Sequence, residues 1–80
     1  MSIKNEKKEE IYIPLLNEGV DVFRPTLGIE IEKNIFKVLP IEKYDPEDER
    51  WKFLPGSIVR CKKEIREGKE ILIATELQNS

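Results

Sequence analysis

The sequence predicts an all-β domain in which three antiparallel hairpins close into a small barrel or roll. Two observations lead to this prediction. From about residue 10 onward, short segments rich in isoleucine and valine alternate with turn residues, a pattern typical of strands joined by tight turns. The chain has 80 residues, which is enough for one hydrophobic core and too few for two.

The predicted barrel domain occupies residues 10–77. Residues 1–9 are mainly charged and polar, so we expect a disordered tail there, and residues 78–80 form a short polar end of the same kind. No apolar run approaches the roughly 18 residues that a membrane helix needs, and the start of the chain is too polar for a signal peptide. Together with the single cysteine, this predicts a cytoplasmic protein without membrane association.

The first predicted hairpin pairs residues 11–16 with residues 20–24. Its three-residue loop ends in Gly19, which suits a type I turn followed by a bulge in which glycine takes a left-handed conformation. Pro25 separates this hairpin from the next one. Pro14 cannot donate a backbone hydrogen bond, so its strand is expected at a sheet edge or with that position turned outward.

The second predicted hairpin, residues 27–39, turns at Lys33 and Asn34, because asparagine tolerates the positive φ that a two-residue turn needs. This register places Glu30 opposite Lys37 on the solvent face, where opposite charges attract. It points four apolar side chains inward: Ile29, Ile31, Phe36 and Val38.

The third predicted hairpin, residues 57–77, turns at residues 66–68, with Gly68 last and at positive φ like Gly19. A three-residue loop sets Cys61 opposite Ile73. One face of the hairpin is then mainly apolar and the other mainly charged, as a half-buried hairpin requires. The predicted inward side chains are Val59, Cys61, Ile65, Ile71, Ile73 and Thr75.

Residues 40–56 interrupt the strand pattern and contain the only tryptophan, Trp51. Asp45 followed by Pro46 and further acids is typical of a helix start, so we expect one helical turn at about residues 46–50. Disorder would leave large apolar side chains in water. We therefore expect this segment to be ordered, with Trp51 packed against the barrel.

Histidine is absent and cysteine occurs once, at Cys61. The commonest general base and zinc ligand are therefore missing, and so are thiol–imidazole pairs. The acidic run at residues 45–49 lacks the alternating oxygen ligands and the turn glycine of a calcium loop, and helix capping explains it without a metal. The inward position of Cys61 predicts a buried, unreactive thiol. We expect no catalytic activity, no metal and no cofactor.

Two stretches, residues 13–25 and 45–61, resemble a family of short uncharacterised bacterial proteins with the patterns PLLxEGxxVxRP and DPxxExWxFxPGxxVxC. The resemblance covers most of residues 11–61. It implies a bacterial origin and a single-domain architecture, and it brings no activity and no site residue. Phe23 stands where the family pattern would have tryptophan. By analogy, three hairpins suggest a small SH3-like barrel, and an OB-like barrel is the alternative.

The leading functional prediction is a non-catalytic interaction module, such as an accessory or regulatory protein, that binds a protein partner through aromatic and basic side chains. The alternative is single-stranded nucleic-acid binding, in which the basic C-terminal hairpin contacts phosphates and the loop aromatics stack on bases. The net charge of −2 argues against a general nucleic-acid binder. A domain this small also leaves homo-oligomer formation as a further source of stability.

The candidate binding surface combines aromatic side chains of the long segment with basic side chains of the third hairpin. For Trp51 and Phe53 the competing prediction is structural, because these side chains suit the capping of an open barrel end. The candidate residues are Tyr44, Trp51, Phe53, Arg60, Lys62 and Arg66.

Overall fold

The chain folds into a small closed β-barrel, the class that includes SH3-like and OB-like folds. A computed structural model describes residues 7–17, 19 and 22–78. Their strands are β1 (Lys8–Pro14), β2 (Phe23–Glu32), β3 (Ile35–Val38), β4 (Ile58–Arg66) and β5 (Lys69–Leu77). Each strand is antiparallel to the next, and β1 meets β5 in parallel at Tyr12 and Ile73, which closes the barrel. The predicted fold class is confirmed.

In the part of the chain that the structure describes, the barrel has five strands rather than the six that three separate hairpins would supply. Pro25 does not separate two hairpins, because it lies inside β2 and opposite Tyr12. β2 pairs with β1 through its first part and with β3 from Gly28 onward. At Pro25 the strand therefore lacks β3 on its second edge, which is where a proline is tolerated in a sheet.

The first strand begins earlier than the sequence suggested. β1 starts at Lys8, so the predicted tail at residues 1–9 extends too far, and its first six residues lie outside the described part of the chain. At the other end, the Gln78 N–H donates to the carbonyl of Ile58 at 2.9 Å, which adds this residue to the barrel. Residues 18, 20, 21, 79 and 80 also lie outside the described residues.

The turn at Lys33 and Asn34 is confirmed, and a bulge next to it shifts the predicted register. Glu32 pairs with Ile35 around the turn, and Asn34 has a φ of 67°. An irregularity between Glu30 and Glu32 then moves every later pair by one residue, so that Ile29 rather than Glu30 faces Lys37. Bulges of this kind increase strand twist and help a barrel to close.

The bulge changes which residues of β2 face the core. Ile31, predicted to point inward, is 52% exposed, and Ile29 is half-buried. Thr26 and Gly28 take the interior positions instead. A Cβ on Gly28 would lie 2.8 Å from the Cδ1 of Ile11 and 3.2 Å from the Cβ of Phe36, so glycine allows β1 and β3 side chains to approach here.

The third hairpin has a two-residue turn, not the predicted three-residue loop. Arg66 pairs with Lys69, and both turn residues have positive φ, 53° at Glu67 and 76° at Gly68. This is the type I′ geometry that matches the twist of paired strands. Gly19 is also at positive φ, 93°, so the positive φ predicted for both glycines is confirmed. The three-residue loop predicted at Gly19 is not: Pro14 pairs with Phe23, one residue away from the register that such a loop would give, and residues 18, 20 and 21 lie outside the described residues.

A second bulge lies between Arg60 and Cys61, opposite residues 74–76. The two-residue turn alone pairs Cys61 with Ala74 rather than with Ile73, and the bulge then shifts the pairs beyond it, Arg60 with Glu76 and Val59 with Leu77, by one further residue. Of the residues predicted to point inward, Val59, Cys61 and Ile73 are buried, whereas Ile71 is half-buried and Ile65 and Thr75 are exposed. Among the described residues, the core comprises eleven buried hydrophobic side chains: Ile11, Ile13, Ile35, Phe36, Val38, Trp51, Phe53, Val59, Cys61, Ile73 and Ala74.

Candidate functional site

The long segment between β3 and β4 is ordered and places its aromatic side chains in the core. Trp51 is 2% exposed and Phe53 is 4% exposed. Backbone hydrogen bonds fix the segment to the end of β1: the Leu16 N–H donates to the Arg50 carbonyl at 2.7 Å, and the Lys52 N–H donates to the Pro14 carbonyl at 2.9 Å. The predicted packing of Trp51 against the barrel is confirmed.

Glu49 joins this segment to β2 through its carboxylate. The Arg24 guanidinium forms a bidentate ion pair with it, in which Nε lies 3.0 Å from each oxygen. The Trp51 Nε1–H donates to Glu49 Oε1 at 3.1 Å. The hydrogen bond from Arg24 is the main reason why the pKa of Glu49 is lowered. The carboxylate therefore stays ionised and satisfies the polar atom of a buried indole.

The predicted turn after Asp45 is present as a single turn and does not extend into a helix. Its first residue caps it, because Asp45 Oδ1 accepts from the Glu47 N–H at 2.9 Å. The carbonyl of Asp45 accepts from the N–H groups of Asp48 and Glu49 at 3.0 and 3.1 Å. Capping accounts for Asp45, and the turn brings Glu49 to Arg24.

The structure does not assemble the six candidate residues into one surface. Trp51 and Phe53 are buried, as the structural alternative predicts, so they are inaccessible to a partner. Tyr44 is half-buried and packs edge-on against Trp51, with ring centroids 4.8 Å apart. Arg66 lies over the ring of Phe23, with its guanidinium carbon 5.3 Å from the ring centroid, and pairs with Glu64 at 2.9 Å. Only Arg60 and Lys62 line one depression together.

We call this depression the basic concavity. It has a volume of about 470 Å³ and lies where the β2–β3 turn meets the bulge of β4 and β5. Lys33 was not among the predicted binding residues, because it is distant from β4 along the chain. The lining residues are Lys33, Asn34, Arg60, Cys61, Lys62, Lys63, Thr75 and Glu76.

A second depression, which we call the apolar groove, lies between β2 and the chain that follows β3. It has a volume of about 410 Å³ and was not predicted from the sequence. Leu27 is 47% exposed in it, and two acidic side chains, Glu10 and Glu42, complete its lining. The remaining lining residues are Pro25, Thr26, Leu39, Pro40 and Ile41.

Two hydrogen bonds hold the walls of the apolar groove together. The Leu39 N–H donates to the Leu27 carbonyl at 3.0 Å. The hydroxyl of Thr26, which is 5% exposed, donates to the Leu39 carbonyl at 2.6 Å. Both bonds join the strand to the segment opposite, so the groove is preformed and a ligand need not order it.

Cys61 is a buried, unpaired thiol, as predicted. It is 3% exposed, and burial raises its pKa to about 12. Since the thiolate is the reactive form, this residue is not poised as a nucleophile. Within the described ranges, histidine, cysteine and carboxylate side chains form no group of three or more that could hold a metal ion. No helix in the described part of the chain is long and apolar enough to cross a membrane.

Comparison with known proteins adds no further assignment: no family model, no curated protein and no solved structure matches the chain. The resemblance noted from the sequence stays a prediction. The two stretches that carry it contact each other in the fold, because Arg24 lies in the first and Glu49 and Trp51 lie in the second.

Proposed function

We propose that this chain is a non-catalytic interaction module of the bacterial cytoplasm, and that the apolar groove binds an extended segment of a partner protein. The main support for the proposal is a preformed, solvent-exposed apolar surface in a domain whose aromatic candidates Trp51 and Phe53 are buried. Cytoplasm and bacterial origin rest on the lone reduced cysteine and on the resemblance of the sequence.

The lining of the groove indicates the chemistry of the partner segment. Pro25, Leu27 and Pro40 offer apolar surface that is preorganised, because proline rings and a strand side chain have little conformational freedom to lose. Glu10 and Glu42 add two negative charges to the same lining. The complementary ligand is an extended segment in which apolar side chains stand next to lysine or arginine.

The test is a selection of peptides from a random display library on the wild-type protein. We expect the enriched peptides to combine apolar residues with lysine or arginine. Leu27→Asn keeps the size of the side chain and removes its apolar surface. It should therefore lower the affinity for these peptides by about tenfold, or about 1.4 kcal/mol. Ile31→Asn is the matched control, since Ile31 is equally exposed on the same strand and lies outside the groove. Binding is measured by fluorescence anisotropy.

Two outcomes would overturn the proposal. One is enriched peptides that bind Leu27→Asn and wild-type protein equally well. The other is a dimer of the chain, seen by analytical ultracentrifugation, that Leu27→Asn dissociates, because the groove would then be occupied by a second copy.

A further inference from the structure

We infer that the basic concavity binds the phosphate backbone of single-stranded nucleic acid. Four basic side chains and one carboxylate line it: Lys33, Arg60, Lys62 and Lys63 against Glu76. Arg60 pairs with Glu76 at 3.5 Å, whereas the three lysines form no ion pair within the described residues. A local charge of +3 thus stands on a chain whose net charge is −2.

The fold holds this charge in place. The carbonyl of Asn34 accepts from the Cys61 N–H at 2.8 Å, which fixes the β2–β3 turn beside β4 and brings Lys33 to the concavity. The Thr75 hydroxyl donates to the Arg60 carbonyl at 3.2 Å across the second bulge. These two hydrogen bonds therefore keep together like charges that repel one another, which favours an anionic ligand over an empty surface.

The shape of the concavity favours a single strand. It is an open depression whose basic side chains are exposed or only partly covered, so affinity would come from several phosphates in sequence rather than from one enclosed ion. Four basic side chains in one depression of about 470 Å³ suit a short run of phosphates on one strand. No aromatic residue lines the concavity, so binding should be insensitive to base sequence.

The experiment measures anisotropy of a labelled oligothymidine of about 12 nucleotides, a length within the site size of small barrels, as salt is varied. The logarithm of the affinity should fall against that of the salt concentration with a slope of about −2 to −3, as expected for three or four phosphate contacts on a single strand. Lys33→Gln and Lys62→Gln should each reduce that slope by about 0.7, equally for an RNA of mixed sequence. Lys43→Gln, an exposed lysine outside the concavity, is the matched control.

The proposal is overturned if the oligonucleotide does not bind at low salt, or if Lys33→Gln leaves the slope unchanged. It is also overturned if a polyglutamate peptide of equal charge competes as well as unlabelled oligonucleotide, because the concavity would then serve acidic proteins. Leu27→Asn should bind the oligonucleotide like wild-type protein. A loss of oligonucleotide binding in the basic concavity can therefore be told apart from a loss of peptide binding in the apolar groove.

Discussion

At the scale of the residue, burial decides which side chains are available to a partner. Trp51 and Phe53 have the composition of a binding hot spot, but almost all of their surface is already used in the core. Arg60 and Lys62, predicted from the same hairpin, remain exposed. Burial therefore divides the predicted site in two. Trp51 and Phe53 belong to the core, whereas Arg60 and Lys62 belong to an exposed basic surface.

The buried thiol of Cys61 should be protected from thiol reagents in the folded protein. Its pKa of about 12 leaves almost no thiolate at pH 8, and burial blocks access to the sulfur. A disulfide reagent such as dithionitrobenzoate should therefore modify the native protein far more slowly than the protein unfolded in guanidinium. Equal rates in the two states, followed by absorbance, would show that Cys61 is accessible and would contradict the packing of β4.

At the scale of the element, the sequence predicted the strands well and their registers poorly. Short runs of isoleucine and valine located β1, β3, β4 and β5, and Asn34 marked its turn. Pro25 was wrongly taken as a break, so β2 was divided between two predicted hairpins. The first bulge had no signal, because the alternation of apolar and charged residues continues through Ile31 although Ile31 is exposed. The second lies after residues 71–74, four consecutive apolar residues that do not alternate and so do not fix a register. Glu67 also misled the turn prediction, since a glutamate at positive φ is uncommon where asparagine would indicate a type I′ turn.

The ion pair between Arg24 of β2 and Glu49 of the long segment should make the stability of the protein depend on pH. Its pKa is lowered in the folded state, chiefly by the hydrogen bond from Arg24. The ion pair therefore contributes stability above the ordinary pKa of a glutamate, and this contribution is lost as the pH falls through the lowered value. Glu49→Gln should melt at a lower temperature than wild-type protein at pH 7, and the difference should narrow toward pH 3.

A matched variant tests whether this effect is specific. Glu47→Gln removes an exposed carboxylate of the same turn that contacts neither Arg24 nor Trp51. It should leave both the melting temperature at pH 7 and its pH dependence close to those of wild-type protein. The ionised pair would be ruled out as the cause if the difference in melting temperature between Glu49→Gln and wild-type protein stayed constant from pH 7 to pH 3.

At the scale of the whole molecule, the apolar groove and the basic concavity both result from closure of the barrel. Lys33 meets Arg60 and Lys62 only because β3 pairs with both β2 and β4. Leu27 meets Pro40 only because the chain after β3 runs back along β2. Composition and local pattern predicted the class of fold, but contacts between residues distant along the chain set both sites, and one sequence alone does not report them.

The most direct test of the account is an amide NMR map of the protein titrated with a peptide selected on it. Binding in the apolar groove should shift the amides of Leu27, Leu39 and Ile41, which line it. The indole N–H of Trp51 should not move, because it is buried and donates to Glu49. A shifted Trp51 indole with unchanged groove amides would contradict the account and would place the binding surface in the long segment.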